Sequence, residues 1–297
     1  MSKTVSFGVH LPSEMSFFIG SGRMIDSLEK QGYEGVYLAD GFSTFGDPLT
    51  VLASIATDSE INLGTCVYIL SLRNPLLVAK QTATLQEVSG GRFVFGIGVG
   101  WRKDEFDSVG VTFENRGDRT DEALKVLSEA WSNGVVSFKG KYYTYDDVEV
   151  GAKTMEAPEV LIGGNSKSAL QRAMKFGYAW IPTDFSPHDY ERMLRSERST
   201  APQERPELAA HLALFINSSS DKAWENAKSV ASLFGEEVEE FAEGALVGSP
   251  SEIAKRIEDY RRVGVSRIVL STHLLNSKEA ISDSLQIFAR EVATGFN

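Results

Sequence analysis

Cysteine is nearly absent: Cys66 is the only one in 297 residues. That excludes an internal disulfide and suits a reducing compartment. Histidine is scarce too, and His10, His188, His211 and His273 show no HxH or HxxxH spacing, so no metal site is expected. Long apolar runs are missing: no stretch reaches transmembrane length, and the opening MSKTVSFGVHLP has no signal-peptide core. The expectation is a cytoplasmic protein with no membrane partner. Positive charge is in deficit, with 30 Lys and Arg against 41 Asp and Glu and a net charge of −11, which argues against a nucleic-acid partner. There is no GxSxG nucleophile motif. Gly96, Gly98 and Gly100 are not a GxGxxG fingerprint, because the third glycine comes one residue early and no helix starts at once. No repeat, low-complexity tract or linker divides the chain, so one domain over 1–297 is expected.

What is present is a rhythm. Short apolar segments read as strands at Val5–His10, Gly35–Asp40, Ile61–Ile69, Phe93–Gly98, Glu159–Gly164, Ala179–Pro182, Ala209–Ile216 and Arg267–Ser271. Helical spacing separates them. Met24, Ile25, Leu28 and, before them, Phe17 and Phe18 mark one helix; Pro48 and Asn74-Pro75 open two more, since proline is favoured in a first helical turn. A longer helix is expected from near Arg119, followed by a β-hairpin over Val135–Val150 around Lys139-Gly140-Lys141. Ser166 is placed to cap a helix running to about Phe176, and Pro187–Leu208 reads as a polar surface helix with an exposed connection. Asp221–Phe234 and the acidic Gly235–Glu243 read as helical excursions, Pro250–Val263 as the last crossover helix and Lys278–Phe296 as a terminal helix. Eight apolar strands alternating with helices predict an α/β chain folded as a (β/α)8 TIM barrel, with the hairpin inserted after the fourth helix. A doubly wound sheet is the runner-up.

A barrel carries its site in the loops after its strands. Two glycine-rich strand ends, Gly98–Gly100 and Gly163–Gly164, free backbone amides to face an anion, and Asn165, Ser166 and Ser168 add donors beside the second. The alternative is plain tight turning. Asp40 closes its strand as either a functional carboxylate or a turn cap. His10 and His273 are either proton donors or ordinary polar residues at the mouth, and Cys66 is read as a small buried hydrophobe rather than a nucleophile. Phe42, Phe45, Val67, Tyr68 and Trp101 suggest a flat organic ring. An aromatic ring, two anion-ready turns and no nucleophile suit a redox cofactor that brings its own reactivity.

The segments GYEGVYLAD, LGTCVYILSLRNPLLVAKQTATLQEVSGGRFVFGIGVGW, VLIGGNSKSALQRA and GSPSEIAKRIEDYRRVGVSRIVL, the KGKYY hairpin and the Glu105/Gly110/Arg116/Asp121-Glu122 spacing resemble the bacterial luciferase-like superfamily. The likeness runs almost end to end and is greatest to its single-chain deazaflavin (coenzyme F420) oxidoreductases. It implies a TIM barrel with a reduced cofactor in its mouth, and a homodimer through the second and third helices. It implies a non-prolyl cis peptide at Cys66–Val67 within the Thr65-Cys66-Val67 bulge, with Val67 against the cofactor ring. It also implies cofactor contacts at Asp40, Gly98, Gly100, Trp101, Gly163, Gly164, Asn165 and Ser166. Arg116 and Glu122 are motif residues with either a cofactor-related or a purely structural role.

Two departures bear on mechanism. Deazaflavin relatives often have Asp-His where this chain has Asp40-Gly41, and Trp101 replaces a glutamate proposed as an acid in the sugar-phosphate dehydrogenases. The expected activity is therefore hydride transfer between reduced F420 and a small, nonpolar or conjugated organic substrate, with Asp40, His10 or solvent supplying the proton. The first alternative is a monooxygenase using reduced FMN and oxygen. The second is a flavin-binding protein without turnover.

Overall fold

In the computed structural model, residues 4–12, 21–44, 46–197, 205–275 and 277–296 are described. Phe17, Phe18 and Phe45 lie outside them, as do residues 198–204 of the expected 187–208 helix, whose last residue, Leu208, instead opens a strand. The fold is a (β/α)8 barrel of parallel strands, and the chain forms two compact units. Unit 1 comprises residues 1–12, 23–37 and 164–297, and unit 2 comprises 13–22 and 38–163.

Unit 1 is organised on strands β1 (Ser6–His10), β2 (Gly35–Leu38), β9 (Ala179–Ile181), β10 (Leu208–Ile216), β11 (Leu246–Gly248) and β12 (Val265–Ser271). β1 lies between β12 and β2, and β10 pairs with β9, β11 and β12, all in parallel. All nine residues of β10 are buried, as expected of a parallel strand covered on both faces. Around them stand helices α1 (Ser21–Lys30), α6 (Lys167–Phe176), α7 (Pro187–Ser196), α8 (Ser220–Phe234), α9 (Val238–Glu243), α10 (Pro250–Val263) and α11 (Lys278–Glu291).

Unit 2 holds β3 (Asn62–Thr65), β4 (Tyr68–Ile69), β5 (Phe93–Gly98) and β8 (Glu159–Gly163), with β5 pairing in parallel to the other three. Its helices are α2 (Pro48–Ile55), α3 (Pro75–Val88), α4 (Lys103–Ser108) and α5 (Arg116–Asn133). Helix starts follow local chemistry: Asp47 accepts from the Thr50 amide and Asn74 from the Leu76 amide, each ahead of a proline.

Several boundaries depart from expectation. The expected third strand is split in two, because its middle bulges at Cys66–Val67. The helix expected from Arg119 begins at Arg116, after the short α4. The hairpin strands β6 (Val135–Lys139) and β7 (Thr144–Glu149) turn at 140–143. That turn is held from below: Glu122 on α5 accepts from the amides of Lys141, Tyr142 and Tyr143 at 2.7, 2.8 and 3.1 Å. Burial pushes the Glu122 carboxyl up, but these amides outweigh it and leave the group below its ordinary range. A Cβ on Gly140 would stand 2.3 Å from Glu122 Oε2, so a side chain there would displace the carboxylate that holds the turn.

Candidate functional site

In unit 2 the site residues gather around the bulge between β3 and β4. The Cys66–Val67 peptide is cis, as the family resemblance implies. Thr65 donates from its hydroxyl to the Gly96 carbonyl at 2.7 Å. A Cβ on Gly96 would fall 1.9 Å from the Thr65 carbonyl oxygen, so β5 must be bare where the bulge crosses it. Cys66 is buried, with its amide on the Leu38 carbonyl at 2.8 Å, in keeping with a small hydrophobe. Val67 is the residue of the bulge that stays partly exposed. A Cβ on Gly98 would lie 2.4 Å from one Val67 methyl, and a Cβ on Gly163 2.6 Å from the other. These glycines therefore make room for Val67, a packing role that glycine spacing alone does not reveal.

Asp40 anchors the far side of the bulge. Its Oδ2 accepts from the Ile69 amide at 2.9 Å and from Arg73 Nη1 at 2.5 Å, while Oδ1 accepts from Arg73 Nη2 at 2.8 Å. The guanidinium also donates to the Ile69 carbonyl and lies 4.3 Å from the Tyr68 ring centroid. Burial opposes charge on Arg73, but the Asp40 carboxylate outweighs it and raises the guanidinium above its ordinary range. Fork-to-fork pairing of this kind fixes geometry as well as charge. Arg73 was missed from the sequence, although a strand-end aspartate that becomes buried demands a cationic partner.

Beyond β5, Gly100 has φ +80°, and the space where its Cβ would sit is filled by Phe106 and Ile69. Arg116 Nε donates to the Gly100 carbonyl at 3.0 Å, a structural use of that motif residue. Trp101 is 82% exposed and Phe42 53% exposed. Their loops are tied together: buried Glu105 accepts from the Phe42 amide at 3.0 Å, and Arg102 reaches Ser43 Oγ at 3.2 Å.

In unit 1, Gly164, Asn165 and Ser166 are exposed at the start of α6. The Gly164 carbonyl accepts from Trp180 Nε1 at 2.9 Å. The Asn165 amide clamps the Thr183 backbone, donating to its carbonyl at 2.8 Å and accepting from its N–H at 2.9 Å. Ser166 caps α6 by accepting from the Ala169 amide. The Asn165 and Ser166 side chains thus serve local structure, and the α6 N-terminus keeps its positive end toward solvent.

In unit 1, the end of β1, the middle of β10 and the loop after β12 assemble a group that chain order conceals. His10 Nδ1 lies 2.9 Å from His211 Nε2, 201 residues away, and His211 Nδ1 lies 3.2 Å from Thr183 Oγ1. The His273 ring centroid is 5.3 Å from that of His10, and His273 Nδ1 bonds Ser271 Oγ. Burial lowers the pKa of all three rings. For His10 it acts first, with His211 and His273 adding, and His211 is brought down to about 3. The rings are therefore neutral at physiological pH, each with one donor and one acceptor nitrogen. Their backbones are pinned: the His10 carbonyl accepts from the Thr272 hydroxyl at 2.9 Å, and the His211 carbonyl from the Asp184 amide at 2.8 Å. Asp184 adopts φ +47° and binds the Ala213 amide through Oδ1 at 2.9 Å. It keeps accessible surface, but the crowding of protein around it pushes its carboxyl up to about 6, with Glu236 adding. His211 and Asp184 were not read as site residues. The available signal was a lone histidine inside the apolar strand AAHLALFI, where a buried polar ring needs partners. Among the described residues, no group of His, Cys, Asp and Glu is arranged to hold a metal ion, and no helix is long and apolar enough to cross a membrane.

Residues 21–243 match the sequence model of the luciferase-like monooxygenases. Among curated proteins, the pyrimidine monooxygenase RutA of Klebsiella pneumoniae is 29% identical over 167 residues, covering 52% of this chain and 46% of that protein. The match thus spans less than half the length of this relative. Three solved structures share the fold. Monooxygenase RslO1 from Streptomyces bottropensis has a TM-score of 0.85 at 19% identity, covering 99% of this chain and 100% of that one. The coenzyme F420-dependent tetrahydromethanopterin reductase of Methanopyrus kandleri has 0.81 at 22%, with the same coverage. The oxygenating constituent of 3,6-diketocamphane monooxygenase from Pseudomonas putida, in complex with FMN, has 0.77 at 17%, covering 100% and 99%.

Proposed function

Because the chain belongs to the luciferase-like monooxygenase family, we propose that it is an oxidoreductase moving a hydride between reduced coenzyme F420 and a small organic substrate. The observation that carries a flavin-type cofactor is Val67: an apolar, partly exposed side chain at the end of β3, flanked by Gly98 and Gly163 and fixed from behind by Asp40 and Arg73. A rigid apolar surface of this kind fits the face of a planar heterocycle. In unit 2, Val67 and Trp101 are the accessible side chains that would meet the ring, while buried Thr65 and Cys66 and the bare Gly98 and Gly100 set the bulge and the loop that carry them. Taken by itself, the α6 N-terminus at Gly164–Ser166 in unit 1 offers exposed backbone amides and a helix dipole to an anion. When bound in its reduced form, such a cofactor supplies the hydride. The chain's part is to orient the partners, exclude water and provide a proton. Orientation matters because donor and acceptor atoms must approach to about 3–3.5 Å. Asp40 is held by three donors, which suits it to positioning the bulge, and His10 is the better candidate for the proton. Burial keeps the His10–His211 pair neutral, so His10 can give up its N–H only as another proton reaches the ring.

A second reading, oxygen-dependent chemistry with reduced FMN, is favoured by the pyrimidine monooxygenase relative. Titration with F420 and FMN, each oxidised and reduced and followed by fluorescence and absorbance, separates the two. Selective binding of F420 supports hydride transfer, and selective FMN binding moves the assignment to the monooxygenase. Binding of either without turnover on a carbonyl and enone panel leaves a carrier. Binding of neither overturns the cofactor assignment.

A further inference from the structure

Thr183, His211 and His10 form an unbroken hydrogen-bonded series in unit 1. Thr183 is exposed, and the two imidazoles are 6% and 5% exposed. Each link is within reach of a proton jump, at 3.2 Å from Thr183 Oγ1 to His211 Nδ1 and 2.9 Å from His211 Nε2 to His10 Nδ1. The backbone at both histidines is fixed: the His211 N–H donates to the Pro182 carbonyl, the Asp184 N–H to the His211 carbonyl, and the Thr272 N–H and hydroxyl to the His10 carbonyl. The nearby carboxyl of Asp184 is committed through Oδ1 to the Ala213 amide.

We propose that this series is a proton relay, carrying protons from solvent at Thr183 through His211 to His10, whose Nε2 is the delivery atom. The inference rests on the reductase reading above and adds the route by which the proton given up by His10 is replaced. In the loaded arrangement Thr183 O–H donates to His211 Nδ1, His211 Nε2–H donates to His10 Nδ1, and His10 carries its proton on Nε2. When His10 Nε2–H is given up, the His211 Nε2 proton crosses to His10 Nδ1. The Thr183 hydroxyl proton then crosses to His211 Nδ1, and water restores the hydroxyl. One proton leaves and one enters, no electron moves, and both rings end neutral as the opposite tautomers, with their protons on Nδ1; exchange of the ring protons with water returns the loaded tautomers before the next delivery. The hydride carries both electrons of the reduction. His273, bonded to Ser271, stands beside the series rather than in it.

The test uses the intact chain labelled with 15N-histidine and needs neither cofactor nor substrate. A scalar coupling between His10 Nδ1 and His211 Nε2 across one N–H···N bond is expected at neutral pH. Absence of that coupling, or two doubly protonated rings, overturns the relay. Exchange of the bridging N–H with water is then measured in wild type, Thr183→Ser and Thr183→Val. The relay expects exchange about tenfold slower in Thr183→Val and restored in Thr183→Ser. Equal rates in all three overturn it, because a purely structural histidine pair would not sense the hydroxyl. His211→Gln, checked for folding by circular dichroism, must abolish the coupling signal. If neither F420 nor FMN binds, the reductase reading falls while coupling and exchange still decide the relay. If the cofactor binds but the coupling is missing, only the relay falls.

Discussion

At the strand ends of unit 2 a carboxylate and a guanidinium face each other, with side chains 5% and 24% exposed. In unit 1 the polar groups are three imidazoles that burial keeps uncharged. The ion pair satisfies itself: Asp40 accepts from Arg73 and from the Ile69 amide, and Arg73 also holds the Ile69 carbonyl. Such a closed set can hold a backbone in place but gives no proton away. Each neutral ring keeps both a donor and an acceptor nitrogen, so the imidazole set can pass a proton on. Two faces of similar polarity thus differ in kind, one built to be still and the other to exchange.

Removing one partner breaks this contrast most severely. Arg73→Met leaves the Asp40 carboxylate uncompensated and is expected to cost about 3–5 kcal/mol in a urea unfolding titration. The double variant Asp40→Leu/Arg73→Met is expected to recover most of that, and a double variant as unstable as the single one would contradict the pairing.

Acid titration probes the other face. In the folded chain His10 and His211 protonate below the ordinary value of 6.5, so the unfolded chain binds those protons first. Stability is therefore complete above pH 6.5 and is lost as the pH falls, by about 1.4 kcal/mol per unit for each ring. The Asp184 carboxyl, pushed up to about 6, acts in the opposite sense, because the folded chain takes its proton first. Asp184→Asn should steepen the acid loss, as read from unfolding midpoints between pH 7 and pH 4.

Gly98→Ala places a methyl 2.4 Å from Val67 Cγ2 and should cost about 1–3 kcal/mol by overpacking. Adding Val67→Ala should relieve it, and the same pair of variants should weaken F420 or FMN binding if Val67 meets the ring. Trp101→Ala, at an 82% exposed side chain, should change stability by less than about 0.5 kcal/mol. A measurable loss of cofactor affinity in that variant would separate a ligand contact from a bystander.

Strand periodicity sufficed to place the eight barrel strands, and Pro48 and Asn74-Pro75 located helix starts. Short elements were not visible: α4 has six residues and β11 three, too few to display a period. The bulge at Cys66–Val67 entered through family resemblance, not pattern. The glycines signalled missing side chains, but not that Val67 occupies the space. His211 looked like one polar residue in an apolar strand. Its partner lies 201 positions away, a distance at which no local rule operates. Arg73 escaped for the same reason, since a buried charge announces the need for a counterion without naming it.

The hairpin turn is held to Glu122 through the main-chain amides of Lys141, Tyr142 and Tyr143. A carboxylate that reads amides fixes the path of the turn whatever side chains it carries, while Tyr142 under Arg119 and Tyr143 against Tyr145 add contacts of their own. A side chain at Gly140 would have to displace the Glu122 carboxylate and so test the anchor itself.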